Sequence, residues 1–203
     1  MQLNKRTRYE ALVIGASAGG LKAIREILVP LPQNFSLTIL IVQHIAPDAG
    51  SVWPTILDKQ CRIRVKEADE KETAMPGTVY IAPPNYHLLV ETDRTLSLTI
   101  DERVCYARPS CDVLFETAAD AYRERLVGVV LTGANNDGAR GLTKIKEYGG
   151  FTIAQSPESA ESPYMPLAAI EACQPDLILS PDKISETLMK VHQQSNNHHE
   201  FQA

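Results

Sequence analysis

The sequence predicts an α/β fold with a doubly wound, mostly parallel sheet and an inserted antiparallel β-hairpin. Short apolar runs alternate along the chain with segments whose apolar residues repeat at helical spacing. The run 126–131 is continuously apolar and the run 37–42 is apolar except for Thr38, as expected for strands buried on both faces of a parallel sheet. Between 75 and 100 the pattern changes to closely spaced short strands, which indicates the hairpin. Ligands of such sheets bind outside the carboxyl ends of the strands.

Each predicted element follows from a local pattern. Apolar runs bounded by polar or glycine-rich stretches predict strands, and apolar residues at helical spacing predict helices. The predicted strands are 11–14, 37–42, 63–65, 79–81, 87–90, 96–100, 126–131, 151–154 and 177–179, with 87–90 and 96–100 joined across 91–94. The predicted helices are 21–28, a segment through Leu57 after a break at 47–51, 109–121, 139–148, 166–172 and 184–191.

The size and charge of the chain limit the number of domains and the classes of partner to expect. With 203 residues, 44% of them hydrophobic, it can bury one substantial core but is short for two domains. We expect one domain at 9–192, an N-terminal tail at 1–8 and a disordered C-terminal tail at 193–203. There are 20 basic and 25 acidic residues, a net charge of −5, and no basic run. Nucleic-acid and anionic-membrane partners are therefore not expected.

Neither a metal, a cofactor nor a membrane span is expected from the sequence. The four cysteines form no Cys-x-x-Cys pair, and no histidine stands at metal-ligand spacing from a cysteine. The first residues are polar and lack a secretory signal, and the apolar runs are far shorter than the roughly 18 residues of a membrane helix. We expect a reduced, cytoplasmic protein without membrane insertion.

The turn after the first predicted strand contains a candidate nucleophile. Gly15-Ala-Ser17-Ala-Gly19 matches the pattern G-x-S-x-G, between a strand and a helix as that motif requires. Ser17 would stand at a helix N-terminus, where free N–H groups can stabilise an oxyanion. A phosphate-binding turn and a plain structural turn remain as alternatives. The dinucleotide pattern G-x-G-x-x-G fails, because Ser17 occupies its second glycine position.

A serine nucleophile needs a base, and His44 is the candidate. Among the five histidines, only His44 directly follows a buried strand, at the sheet edge where Ser17 is presented. The alternative is a histidine that merely ends a strand. His87 lies in the inserted region beside a Pro-Pro-Asn-Tyr turn, and we expect a structural role for it.

The base in turn needs an acceptor, and Asp137 is placed to supply it. Asp137 lies in the loop after the strand 126–131, at the same carboxyl edge. The alternative for Asp137 is a helix cap in an Asp-Gly turn. Three strand-end loops that supply a serine, a histidine and an aspartate favour a catalytic set.

Six short blocks support a family resemblance. They are Gly15-Ala-Ser-Ala-Gly-Gly20, Val42-Gln-His44, Tyr80-Ile-Ala-Pro83 with His87, Arg108-Pro-Ser-Cys-Asp-Val-Leu-Phe115, Leu131-Thr-Gly133 with Asn136-Asp-Gly138, and Thr152-Ile-Ala-Gln155 with Met165-Pro166. In this order, over residues 9–191, they resemble the catalytic domain of the CheB methylesterases of bacterial chemotaxis.

The resemblance implies a serine esterase in which Ser17 is the nucleophile, His44 the base and Asp137 its orienting partner. The family hydrolyses γ-glutamyl methyl esters on chemoreceptor helices, and some members also deamidate glutamine there. The implied partners are the cytoplasmic helices of methylated chemoreceptors, and a separate receiver or regulatory protein is a further candidate. The alternative is a non-catalytic module that binds a phosphate-bearing ligand or a protein at the same loops.

The chain departs from the family pattern in two places. Gly133-Ala134-Asn135 stands where the family commonly has Gly-Met-Gly, which puts the shape of the substrate site in doubt. The candidates for oxyanion or substrate contact are Ala18, Gly133, Ala134 and Met165, with the Ala18 N–H first. Classical members of the family also carry an N-terminal receiver domain that is phosphorylated on aspartate, whereas about eight residues precede the first strand here, so we expect no phosphorylation control within this chain.

Overall fold

The computed structural model describes residues 8–45 and 52–200, with side chains as far as 194. Strands and helices alternate along this part of the chain. The strands are β1 Ala11–Ala16, β2 Thr38–Gln43, β3 Arg64–Glu67, β4 Thr78–Ile81, β5 His87–Val90, β6 Leu96–Thr99, β7 Leu126–Val130, β8 Phe151–Gln155 and β9 Leu177–Leu179. The helices are α1 Gly20–Leu28, α2 Val52–Gln60, α3 Cys111–Tyr122, α4 Ala139–Glu147, α5 Tyr164–Cys173 and α6 Pro181–Glu200.

A seven-stranded sheet forms the centre, in the order β3-β4-β2-β1-β7-β8-β9. Every neighbouring pair in it is parallel. The chain builds outward from β1 to one side through β2 and then returns to the other side through β7. This reversal at β1 is the switch point where doubly wound sheets bind ligands. The predicted fold class is confirmed.

Two apolar layers cover the faces of the sheet. Along β1, Leu12 and Ile14 face the layer that contains residues of α1 and α6, while Val13 faces the layer that contains residues of α3 and α4. All six residues of β1 and of β2 are buried, which is why the sequence there is mainly apolar rather than alternating. The central strands are thereby fixed on both sides.

The inserted hairpin is a separate two-stranded sheet of β5 and β6, with His87 opposite Thr99 and Val90 opposite Leu96. Leu88, Val90 and Leu96 pack in the same apolar cluster as α3, and Val90 N–H donates to Thr117 Oγ1 at 3.2 Å. The hairpin therefore supports the helix that begins beside the candidate site.

The predicted boundaries differ from the structure at the end of the chain. α6 continues to Glu200, beyond the predicted domain end at 192, so the predicted disordered tail is helical as far as that residue. The predicted break at 47–51 and most of the N-terminal tail lie outside the described residues. Within the described chain, no helix is both long and apolar enough to cross a membrane.

The close crossing of α3 and α4 generates a stability prediction. A Cβ at Gly141 would lie 2.5 Å from Phe115 Cβ and 3.2 Å from Asp112 O. Gly141→Ala should therefore lower the free energy of unfolding by about 1–3 kcal/mol in urea titrations, even though alanine has a higher helix propensity than glycine. Glu147→Ala, exposed on the same helix, should change it by less than about 0.5 kcal/mol. A stabilised Gly141→Ala protein would contradict this packing.

Candidate active site

The turn after β1 presents Ser17 at the carboxyl edge of the sheet. Ser17 N–H donates to Thr132 O at 2.9 Å, and Gly20 N–H donates back to Ser17 O at 2.8 Å. Gly19 caps α1 with a φ of 77°, in the left-handed region that glycine adopts without steric cost. Ser17 is thereby held just before the helix, partly buried, with no hydrogen-bond partner for its Oγ among the described residues.

His44 follows β2 directly, and its backbone N–H donates to Ala16 O at 2.9 Å, which fixes the two strand ends side by side. Its ring Nε2 lies 2.8 Å from Asp137 Oδ2. Because an ionised carboxylate only accepts hydrogen bonds, the neutral ring carries its proton on Nε2 and leaves Nδ1 as the acceptor. In the serine-protease triad the opposite nitrogen, Nδ1, faces the aspartate.

Asp137 is the most heavily bonded residue of the site. It is fully buried and accepts from His44 Nε2, Ser110 Oγ, Cys111 N–H and Asp112 N–H at 2.7–2.9 Å. The two backbone donors open α3, so the carboxylate caps the positive end of that helix. Burial alone would raise the pKa of Asp137, but the hydrogen bonds from His44 and from the α3 amides lower it below its ordinary value. Asp137 is therefore held ionised.

A second aspartate, Asp112, caps the helix that follows Asp137. Asp112, in the first turn of α3, accepts from Gly138 N–H at 2.9 Å and from Gly141 N–H at 2.8 Å, at the start of α4. Asp137 precedes α4 and caps α3, whereas Asp112 lies in α3 and caps α4. Burial raises the pKa of Asp112 to about 6, with the charge of Asp137 acting in the same direction. Asp112 thus fixes the loop that carries Asp137, and His44 is not among its hydrogen-bond partners.

The buried ring of His87 supports the site through a hydrogen bond to the backbone of Ser110. It is 1% exposed; Ser110 N–H donates to its Nδ1 at 3.2 Å, and its Nε2 lies 3.0 Å from Glu102 O. The neutral ring therefore carries its proton on Nε2 and accepts at Nδ1. This geometry holds Ser110, whose Oγ donates to Asp137, and it agrees with the structural role expected for His87.

Two residues near the catalytic candidates were not identified from the sequence. Ser110 lies in the predicted helix 109–121 and was given no role, yet its hydroxyl donates to Asp137 Oδ1 at 2.7 Å. Asn135 Nδ2 lies 3.5 Å from His44 Nδ1, and Asn135 Oδ1 accepts from Asp137 N–H at 3.1 Å. The position of Asn135 between a strand and Asp137 was the one signal that could have indicated it.

The four oxyanion and substrate candidates fall into two groups. Ala18 and Ala134 are exposed, and neither backbone N–H has a backbone acceptor among the described residues. Gly133 N–H already donates to Ser162 O at 2.9 Å, which leaves it unable to bind an oxyanion. Met165 is 1% exposed and packs against Gly133, where a Cβ would lie 1.9 Å from its Sδ. Of the four candidates, Ala18 and Ala134 thus have an N–H group without an acceptor in the described part of the chain.

The thiol nearest to the site is Cys111, whose Sγ lies 3.8 Å from His44 Nε2. Burial raises the pKa of the Cys111 thiol well above its ordinary value, and nearby Asp137 raises it further. A buried, protonated thiol on the aspartate side of the ring is a poor nucleophile.

Among the described residues, two side-chain sets converge closely enough to hold a metal: His44 with Cys111 and Asp137, and Cys105 with Asp112 and Asp137. Both sets include Asp137, which already accepts from four donors. A cation at either place would have to displace those hydrogen bonds. The donor set fits an orienting carboxylate better than a metal ligand.

The fold and these side chains define a class of protein. Ser17 and His44 line one cleft of ≈ 380 Å³ at the carboxyl edge of a doubly wound sheet, and His44 is hydrogen-bonded to Asp137. A serine and a histidine in one cleft, with the histidine bonded to a buried aspartate, are the residue set of the serine hydrolases, which recurs on unrelated folds.

Comparisons with known proteins give the family. The family model described as CheB methylesterase matches residues 12–188. A protein of Leptospira interrogans, provisionally named protein-glutamate methylesterase/protein-glutamine glutaminase, is 54% identical over 185 residues, covering 91% of this chain and 96% of its own length. The protein-glutamate methylesterase/protein-glutamine glutaminase of Clostridium acetobutylicum is 35% identical over 182 residues, covering 90% of this chain and 53% of its own length.

A solved structure agrees. The crystal structure of the Thermotoga maritima CheB methylesterase catalytic domain superimposes with a TM-score of 0.86 at 34% identity, covering 90% of this chain and 98% of that one. The chain belongs to the CheB methylesterase family. It spans about half the length of the Clostridium relative and almost all of the Leptospira relative.

The raised pKa of Asp112 generates a prediction about stability and pH. The folded chain binds the Asp112 proton more tightly than the unfolded chain, so this group's contribution to stability is lost as the pH rises from about 4 to about 6. Asp112→Asn cannot ionise but keeps an acceptor oxygen for the α4 amides. The difference in unfolding free energy, variant minus wild type, should therefore rise by on the order of 2 kcal/mol between pH 4 and pH 7. A difference that stays flat or falls would show that burial does not raise this pKa.

The contacts of Asp137 generate a prediction about activity. Asp137→Asn replaces one acceptor oxygen with an amide donor that faces N–H groups, which costs stability and favours the wrong tautomer of His44. Aryl-ester hydrolysis by the folded variant should fall on the order of 10³ to 10⁴-fold. The fraction folded is measured by circular dichroism in the same samples. Turnover within threefold of wild type would reduce Asp137 to a helix cap.

Proposed function

We propose that this chain is a protein-glutamate methylesterase that hydrolyses γ-glutamyl methyl esters on methylated chemoreceptors. The observation that carries the proposal is the 2.8 Å contact between buried Asp137 and His44. His44 and Ser17 line the same cleft. The substrate class comes from the relatives, which are named protein-glutamate methylesterase/protein-glutamine glutaminase. Glutamine deamidation at the same site is part of the proposal.

The residues act in a two-step acyl transfer. Ser17 Oγ attacks the ester carbonyl while His44 Nδ1 takes its proton, and Asp137 stabilises the imidazolium that forms. The C–O bond to methoxide then breaks, and Nδ1 returns the proton so that methanol leaves a glutamyl-serine ester. Water attacks this ester with the same proton transfers and releases glutamate and free Ser17. The N–H groups of Ala18 and Ala134 are the proposed oxyanion donors. With a glutamine substrate, ammonia takes the place of methanol.

The proposed partners are the cytoplasmic helices of methylated chemoreceptors, and the proposed location is therefore the cytoplasm. A separate receiver or regulatory protein is the proposed source of control.

The alternative, a non-catalytic module that binds a phosphate at the turn after β1, has a physical obstacle. A Cβ at Gly19 would meet Glu161 Cβ at 2.6 Å and Glu161 Oε2 at 3.0 Å. The carboxyl group of Glu161 therefore lies against the turn and would repel a phosphate there.

Covalent labelling tests the proposed function. An organophosphate should add its mass to Ser17 in the wild-type protein, and methanol release from a γ-methyl-glutamyl peptide should be abolished in Ser17→Ala. Ser17→Ala should stay folded, because its hydroxyl has no partner among the described residues. Cys111→Ala is the matched control: it removes the thiol beside His44, keeps the amide that binds Asp137, and should retain both labelling and turnover. Tight nucleotide binding without labelling would favour the alternative.

A further inference from the structure

The charge of the cleft is opposite to the charge of the protein. The chain has a net charge of −5, yet the charged side chains that line the cleft with Ser17 and His44 are Arg103 and Arg108, and no carboxylate lines it among the described residues. A concave site lined by one sign of charge raises the local concentration of ligands of the other sign. The lining therefore favours an anionic ligand.

Arg108 is held in place without a counter-ion. Its Nη1 donates to Ile100 O at 2.5 Å and to Asp101 O at 3.0 Å, while its Nε is buried and has no hydrogen-bond partner. Within the described chain, no carboxylate lies within 4.0 Å of it. Other basic side chains of the described chain, such as Lys22 and Arg64, also lack a carboxylate within 4.0 Å, but Arg108 is the one with a buried nitrogen that has no hydrogen-bond partner.

A positioned, unpaired guanidinium is suited to a particular ligand. Removing a charge from water without a partner costs free energy, and a bound anion offsets that cost. Nη1 already donates to the carbonyls of Ile100 and Asp101, which restricts its motion, and Nε is buried, so Nη2 is the nitrogen that remains to meet a ligand. Nη2 of Arg108 can therefore donate to a carboxylate oxygen with little further ordering of the side chain.

We propose that Arg108 forms an anion subsite that binds a substrate carboxylate next to the ester. The proposal rests on the proposed function, because the ester attacked by Ser17 is what places the substrate in this cleft. The ligand class is an acidic peptide in which a free carboxylate side chain lies close to the methylated glutamate. Arg108 thus determines which esters the cleft prefers.

Arg103 supplies a matched control. It carries the same charge and lines the same cleft, but it is exposed, and its one hydrogen bond in the described structure is a 3.5 Å contact from Nη1 to Tyr106 O. An exposed charge is screened by water and salt, so its removal should change the general field of the cleft but not a defined subsite.

The test measures binding separately from turnover. Two fluorescent peptides carry one γ-methyl-glutamyl residue, flanked by glutamate in the first and by glutamine in the second. The Kd of each peptide is measured for three proteins: the single variant Ser17→Ala, and the two double variants that combine Ser17→Ala with Arg108→Gln or with Arg103→Gln. Ser17→Ala protein should bind the glutamate-flanked peptide about tenfold more tightly. Adding Arg108→Gln should reduce this ratio to within about twofold, and adding Arg103→Gln should leave most of it.

Any other result of the binding measurements would contradict the proposed subsite. Equal affinity for the two peptides on the Ser17→Ala protein would remove the preference itself. An equal loss of affinity for both peptides on adding Arg108→Gln would assign Arg108 a purely structural role, and an equal loss of the ratio with Arg103→Gln would assign the preference to the general field. Methanol release by the wild-type protein from the same peptides tests the proposed function independently: a binding ratio without release retains the subsite and rejects the esterase.

Discussion

The charge on Asp137 is the constraint on which the rest of the site depends. A buried carboxylate without partners would protonate or destabilise the fold, so the chain must bring donors to it from several directions. It does so with the start of α3, the hydroxyl of Ser110 and the ring of His44. The position of the hairpin follows from this need, because His87 of β5 holds Ser110 in place. One ionised group thus connects the inserted hairpin, a helix and a loop of the sheet.

The exchange of caps between Asp112 and Asp137 makes the same group part of the scaffold. Asp137 accepts hydrogen bonds from the first amides of α3, the helix that contains Asp112. Asp112 accepts hydrogen bonds from amides at the start of α4, the helix that Asp137 precedes. Unpaired amides at buried helix ends are costly, so neither helix end is satisfied unless the other is in place. Catalytic geometry and local stability are therefore coupled, and substitutions at these positions act on both.

The sequence predicted the sheet well because burial on both faces leaves a strong signal: β1 and β7 are unbroken apolar runs, and β2 is apolar from 39 to 42. It also predicted which strand ends carry Ser17, His44 and Asp137, because parallel strands bring their carboxyl ends to one edge. It could not predict that Ser110 donates to Asp137, that Gly133 N–H is occupied, or that Met165 is buried. Those facts depend on contacts between segments distant in the chain. The helix that continues through 193–200 was missed because this stretch is polar and lacks an apolar face.

The orientation of the His44 ring separates this site from the proteases that use the same three residue types. Nδ1 is the ring nitrogen nearer to the main chain, and here it faces the amide of Asn135 at 3.5 Å, while Nε2 at the far end of the ring is bonded to the carboxylate of Asp137. In the proposed mechanism the hydroxyl of Ser17 and the acyl group therefore approach from the backbone side of the imidazole. Transition-state analogues shaped for a protease would meet the ring by the opposite edge. An inhibitor selective for this site over the proteases can be designed on that difference in ring orientation rather than on the chemistry, which the two classes share.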